Sequence, residues 1–247
     1  MMSTRRRNPL AKVFAKYFAE GTVTSVEPVT STMLGIRFAP DRPVELPYTP
    51  GQHVRVQIND PLSVYGILRP IETLRTYTIW EYAPDAIDLR VHRYDGSGIG
   101  LTWASTVRAG DRITFWGPQG DFVTREAAHH VFVGDETATA AFGPMIRALG
   151  PEARVTGVLE SEAPGDELAV PGSLKRVYRR GAPAHYSRTL VAGLEQLDLP
   201  TEPGVAYVAG EARTCQLVRD HLVTERGWDR AAIVTKPFWT PGKRGLH

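Results

Sequence analysis

The feature that most constrains this chain is a change of texture near residue 122. From about Gly21 to Phe122, short runs of β-branched and aromatic residues are separated by Pro, Gly and Asp clusters; beyond Arg125, apolar runs alternate with segments of helical period. The first texture predicts six strands, at Thr22–Val26, Met33–Phe38, His53–Ile58, Arg75–Trp80, Ile87–His92 and Arg112–Trp116, and hence a closed or nearly closed antiparallel barrel. The second predicts strands at His130–Val133, Arg154–Glu160, Arg176–Tyr178, Val205–Ala209 and Ala232–Lys236. Helices over Thr137–Leu149 and Ala212–Arg226 fall between them, the alternation of a parallel sheet covered by helices. The expected fold class is therefore all-β plus α/β, with a barrel over 1–125 and an α/β domain over 126–247. A length of 247 residues suits two modest domains. Asn8 to Glu20 has the apolar spacing of one helical face, with Asn8 as cap, Pro9 at the first position and Gly21 as terminator. Gly98 to Val107 reads as one further short helix.

Composition narrows the function classes. The single Cys215 excludes an internal disulfide framework, a Cys-rich zinc site and a cysteine-ligated iron–sulfur cluster, and it fits a reducing, cytoplasmic setting. No protein-bound metal is expected. No stretch approaches the ~20 apolar residues of a membrane span, and the first twenty residues have charges scattered through them, so neither membrane insertion nor export is expected. A net charge of +2 is too small to make nucleic acid the default partner, and Arg5, Arg6 and Arg7 read as a solvated terminus. The local distribution is more informative. Between Leu168 and Leu194 there is no acid, yet Lys175, Arg176, Arg179, Arg180 and Arg188 occur; from Lys236 onward the charged side chains are Lys236, Lys243 and Arg244. These are candidate holders of an anion.

Three segments carry chemistry. In Arg75-Thr76-Tyr77-Thr78, strand alternation sends Arg75 and Tyr77 to one face and Thr76 and Thr78 to the other. A guanidinium with paired donors and an aromatic ring then emerge together, which suits a flavin nucleotide; ordinary cross-strand packing would give the same pattern. Second, Val91-His92 leads through Asp95-Gly96-Ser97 into Gly98, Gly100, Leu101 and Thr102, a strand running through a glycine-rich turn to a helix start, where bare amides can meet a pyrophosphate. His92 alone reads equally as a structural histidine. Third, Gly134-Asp135-Glu136-Thr137-Ala138-Thr139 and Ala209-Gly210-Glu211 are strand-to-helix turns that would flank one nucleotide at the carboxyl edge of a parallel sheet. Asp135 and Glu136 suit a helix N-terminus but would repel a phosphate there, leaving the hydroxyls of Thr137 and Thr139 as the better donors. Arg179 and Arg180 would meet a 2′-phosphate or an anionic substrate.

In this order the pieces resemble the siderophore-interacting protein family, FAD-dependent ferric-siderophore reductases of the ferredoxin-reductase superfamily. The resemblance runs from about Gly21 to Arg244 and rests on Pro50-Gly51-Gln52-His53-Val54, Arg75-Thr76-Tyr77-Thr78, Trp103-Ala104, Gly134-Asp135-Glu136-Thr137-Ala138, Gly210-Glu211-Ala212 and Phe238-Trp239. It implies FAD in the barrel, contacted by Arg75, Tyr77, Thr78, His92 and the Gly98–Thr102 amides. It implies NADH or NADPH in the second domain, with ferredoxin as an alternative donor, and places Asp135, Glu136, Thr137 and Trp239 at the junction. A ferric siderophore would be held by Lys236, Lys243 and Arg244. The alternatives are a related flavin reductase with another acceptor and a non-catalytic ferric-chelate carrier. Three departures stand out: Trp80 where the family usually has a second Arg, Leu101 where a hydroxyl is common, and Lys236-Pro237-Phe238-Trp239-Thr240-Pro241 at the end.

Overall fold

A computed structural model describes residues 18–59, 73–94, 98–200 and 204–242. Strands β1 (Ala19–Pro28), β2 (Met33–Pro40), β3 (His53–Gln57), β4 (Leu74–Ala83), β5 (Ala86–His92) and β6 (Arg112–Gln119) close an antiparallel barrel in the order β1-β2-β5-β4-β3-β6. Alternation does the work: in β3 and β5 every second side chain is buried, and Val54, Val56, Ile87, Leu89 and Val91 meet Ile36, Phe38 and Phe115 inside. Helix α1 (Ile99–Thr106) supplies Ala104 to this core and rests Trp103 on it. The helix expected to run to Glu20 does not reach that far. Ala19 and Glu20 pair with Phe115 and Thr114, because closing the barrel needs their backbone groups in the β1–β6 ladder. The rest of that segment, with Arg5–Arg7, lies outside the described residues.

Strands β7 (His130–Gly134), β8 (Val155–Ser161), β9 (Lys175–Tyr178), β10 (Val205–Glu211) and β11 (Ile233–Trp239) form a parallel sheet in the order β11-β10-β7-β8-β9. β7 and β10 are buried along their whole length, as central strands covered on both faces must be. Helix α2 (Glu136–Leu149) packs Phe142 and Met145 on the face bearing Phe132 and Tyr207. On the other face, α3 (Arg188–Glu195) and α4 (Ala212–Thr224) cover Val131, Val133 and Val208. The chain steps outward from β7 to β8 and β9, then returns to the other side for β10 and β11. The switch point, where such sheets take ligands, therefore lies between the ends of β7 and β10. β11 continues past Lys236 to Trp239 despite Pro237, since it is an edge strand and its ladder breaks register at Gly210/Glu211.

The two halves are cemented at Trp80, which is 8% exposed. Its ring lies between the guanidiniums of Arg90, at 5.1 Å, and Arg147, at 4.3 Å, and Arg147 Nη2 donates to the Trp80 carbonyl at 2.7 Å. Gly143 of α2 presents only its backbone to the indole; a β-carbon there would sit 2.4 Å from the ring. The β8–β9 connection adds Leu168, buried against Met33 and Trp80. Trp80, where the family usually has a second Arg, thus makes a contact between barrel and sheet. No helix among the described residues is long and apolar enough to cross a membrane.

Candidate functional site

On β4 the cross-strand partners decide which way each side chain faces. Tyr77 and Arg75 pair with the fully buried Val54 and Val56, so they point to the inner side of the barrel wall under α1; Thr76 and Thr78 pair with Arg55 and His53 on the outer side. The Tyr77 hydroxyl donates to the Gly100 carbonyl at 3.2 Å, and its ring meets Trp103 at 5.3 Å. Burial pushes that hydroxyl well above the usual phenol range. Gly100 is close enough that a β-carbon would lie 3.0 Å from Tyr77 Oη and 3.3 Å from Arg75 Cγ. The structure thus brings together Arg75, Tyr77, Gly98, Gly100, Leu101 and Thr102. Asp95, Gly96 and Ser97 of the preceding turn lie outside the described residues. The first turn of α1 has no side-chain cap, unlike those of α2 and α4, and no acid, unlike that of α2. A helix start left bare, beside a guanidinium and a cradle without a β-carbon, fits the pyrophosphate of FAD.

At the switch point a single carboxylate ties three elements. Asp135 Oδ1 caps α2 by accepting from the Thr137 and Ala138 amides at 2.9 and 3.3 Å and from Thr137 Oγ1 at 2.5 Å. Its Oδ2 accepts from the Glu211 amide at 2.9 Å and from Trp239 Nε1 at 2.8 Å. Burial and the adjacent Glu136 push its pKa up, while the Thr137 and Trp239 donors pull the other way. Thr137 and Thr139, expected to offer hydroxyls to a ligand, turn them back: Thr139 Oγ1 is buried and donates to the Asp135 carbonyl at 3.2 Å. Glu211 caps α4, accepting from the Thr214 amide at 2.8 Å and the Tyr186 amide at 3.1 Å on Oε2. Its Oε1 is buried with no hydrogen-bond partner among the described residues.

Arg179 differs from its expected role as an anion clamp. Its side chain is 6% exposed and bonded to Glu136, to Glu160 at 3.2 Å and to Glu162 at 3.4 Å, so its charge is neutralised within the protein. For Glu136, burial raises the pKa but the bonds and charge of Arg179 outweigh it, leaving the carboxyl below its ordinary value. Glu160 goes the other way, raised by burial in spite of bonds from Ser187 and Arg179. His92, at the end of β5, faces this cluster across the domain boundary. Burial lowers its pKa and the Glu136 and Asp135 carboxylates oppose that.

Lys236, expected as an anion holder, has neighbours that the sequence does not reveal. His53 and Arg55 share the outer face of β3, and Lys236 of β11 comes close enough to act on His53 electrostatically. Phe238, two residues beyond Lys236 on the same side of β11, packs on Phe122 at 6.2 Å, which holds that strand against the chain leaving the barrel. His53, Arg55 and Lys236 therefore gather at the outer edge beside Thr78. Lys243 and Arg244 lie outside the described residues. The signal available was the i, i+2 placement of His53 and Arg55; what was missing was the β3–β11 proximity.

A barrel whose bare helix start suits a pyrophosphate, joined to a parallel sheet open at its switch point, is the layout of an FAD-binding protein. Residues 68–122 match the siderophore-interacting FAD-binding domain and residues 127–242 the siderophore-interacting protein domain, and the chain belongs to the siderophore-interacting protein family. It is 28% identical over 178 residues to the ferric vibriobactin reductase ViuB of Vibrio cholerae, a match spanning 68% of this chain and 65% of that protein. The fold is shared with a siderophore utilization protein from T. fusca at a TM-score of 0.80 and 23% identity, covering 93% of this chain and 95% of the other. It is shared too with the siderophore-interacting protein SipS from Aeromonas hydrophila, at a TM-score of 0.76 and 22% identity over 92% and 93% of the two chains.

Proposed function

We propose that the chain is a flavin-dependent reductase that passes electrons from a nicotinamide donor to a ferric siderophore and so releases ferrous iron. The observation that carries this reading is the two-sided strand β4. Its inner side bears Arg75 and Tyr77 against a bare helix start, and its outer side adjoins His53 and the cations Arg55 and Lys236. FAD, when bound, supplies the conversion between a hydride's electron pair and single electrons. Arg75 and the first-turn amides of α1 hold its pyrophosphate, and Tyr77, fixed by Gly100 and Trp103, sets the wall beside it. NADH or NADPH would be held at the β7/β10 crevice, beside the strand-to-helix turns at Asp135 and Gly210; ferredoxin is the other donor of suitable chemistry. Arg55 and Lys236 would attract the anionic chelate, a role the resemblance extends to Lys243 and Arg244. Iron is substrate here, and its reduction weakens its hold on hard oxygen donors.

The test is the visible spectrum of the purified protein under anaerobic conditions. A yellow protein bleached by NADH or NADPH and restored by a ferric chelate supports the reading. Reoxidation that no ferric chelate accelerates points to a different acceptor, and colourless protein that binds the chelate points to a carrier.

A further inference from the structure

Helices α2, α3 and α4 all open at the carboxyl ends of the parallel strands, where the pyrophosphate of a dinucleotide ordinarily rests on first-turn amides. In this chain those amides are already taken. Asp135 Oδ1 accepts from the Thr137 and Ala138 amides at 2.9 and 3.3 Å, and Glu211 Oε2 accepts from the Thr214 amide at 2.8 Å. On α3, Ser187 Oγ accepts from the Leu190 amide at 3.1 Å and is itself bonded to Glu160. The Glu211 amide of β10 and the Trp239 indole of β11 are further donors at this edge, and Asp135 Oδ2 accepts from both, at 2.9 and 2.8 Å. Arg179, the buried guanidinium nearby, is held by Glu136, by Glu160 at 3.2 Å and by Glu162 at 3.4 Å. A phosphate brought to α2 or α4 would therefore meet a carboxylate in place of free N–H groups. The start of α1 in the barrel is the opposite case, with no side-chain cap and no acid in its first turn.

We propose that this self-capping makes the donor site blind to the pyrophosphate, with Asp135 as the residue that sets the specificity. Reduced nicotinamide is then admitted at the crevice without a grip on the adenosine diphosphate half, so NADH, NADPH and reduced nicotinamide mononucleotide serve nearly alike. This rests on the nicotinamide-donor reading given above. The contrast between α1 and the other three helices gives the chain two ways of treating dinucleotides. One helix start retains FAD; the sheet edge lets its visitor leave, as a donor that must depart after each hydride requires. The cations left at the surface of this edge are Arg180 and Arg188, the latter over the Tyr186 ring at 5.3 Å. They are the groups that a 2′-phosphate would find, so a strong preference for NADPH is the result that counts against indifference.

The test is anaerobic stopped-flow bleaching of the FAD-loaded protein by each of the three donors in turn. Their second-order rate constants are expected to lie within about tenfold of one another, since a single charge-assisted phosphate contact would already cost the mononucleotide about ten- to a hundredfold. ADP-ribose, which carries the pyrophosphate without the nicotinamide, should neither slow bleaching by NADH nor give a calorimetric binding signal. Asp135→Ser keeps a hydroxyl cap on α2 while freeing the Glu211 amide and the Trp239 indole. In that variant NADH should gain about tenfold over the mononucleotide; a parental ratio removes Asp135 from the account, and if the variant does not fold the parental comparison decides alone. More than tenfold preference of the parent for either dinucleotide, or competition by ADP-ribose, overturns the inference and leaves the reductase reading intact. Protein that none of the three bleaches, but that dithionite reduces and a ferric chelate reoxidises, overturns the inference and the nicotinamide donor together while the acceptor stands.

Discussion

Gly210 shows how one residue sets the geometry of the crevice. Its φ is +120°, and a β-carbon would lie 2.5 Å from Asp135 Oδ2, so the glycine both turns the chain and leaves room for the carboxylate that accepts from the next amide, that of Glu211. Gly210→Ala should lose about 2 kcal/mol or more of stability, read from urea unfolding, because backbone strain adds to displacement of Asp135. Arg179→Ala should be costlier, about 3 to 5 kcal/mol, since it leaves Glu136 and Glu160 buried without their partner. Were Arg179 a substrate clamp instead, the stability would hardly change and only the chelate KM would rise. Arg75→Ala should weaken FAD retention about ten- to a hundredfold, the loss of a charge-assisted phosphate bond of about 1.5 to 3 kcal/mol, with the barrel still folded by circular dichroism.

At the scale of elements, Trp80 makes strand β4 part of two structures at once. Trp80→Ala removes the ring held by Arg90, Arg147 and Gly143. We expect a loss of about 3 to 5 kcal/mol, and calorimetry should show barrel and sheet melting in separate transitions where the parent shows one. A single transition at the parental temperature would argue against Trp80 as the joint. The strands of both domains could be read from the sequence because each has a strong local signature: β-branched alternation in β3 and β5, continuous apolar runs in β7 and β10. α3 was missed. Its apolar face, Leu190, Val191 and Leu194, is short and lies in a stretch whose basic residues suggested a ligand site, although Ser187 does cap it. β11 runs past the boundary the sequence suggests at Lys236, because Pro237, a breaker inside a sheet, is tolerated at its edge. The pairing of Arg75 with Tyr77 was legible from period two, but the fate of Arg179 and the meeting of Lys236 with His53 depend on which strands become neighbours, which no local pattern encodes.

For the molecule as a whole, charge placement matters more than the net of +2. Arg179 is neutralised inside, while Arg55 and Lys236 stand at the domain junction, so attraction of an anionic chelate should respond to salt in proportion to their exposure. Raising ionic strength from about 0.01 to about 0.15 M should increase the chelate KM several-fold in the parent and far less in a protein carrying Arg55→Gln and Lys236→Gln; equal salt sensitivity in the two would remove these residues from the substrate site. Asp135 adds a mechanical consequence. Through it the indole of Trp239 is coupled to the opening turn of α2, 104 positions earlier in the chain. Tension applied beyond the final strand, by a fusion partner or an immobilising tag, would be transmitted to the helix that opens the domain, so the end of the chain is a poor handle and an interior surface loop a safer one.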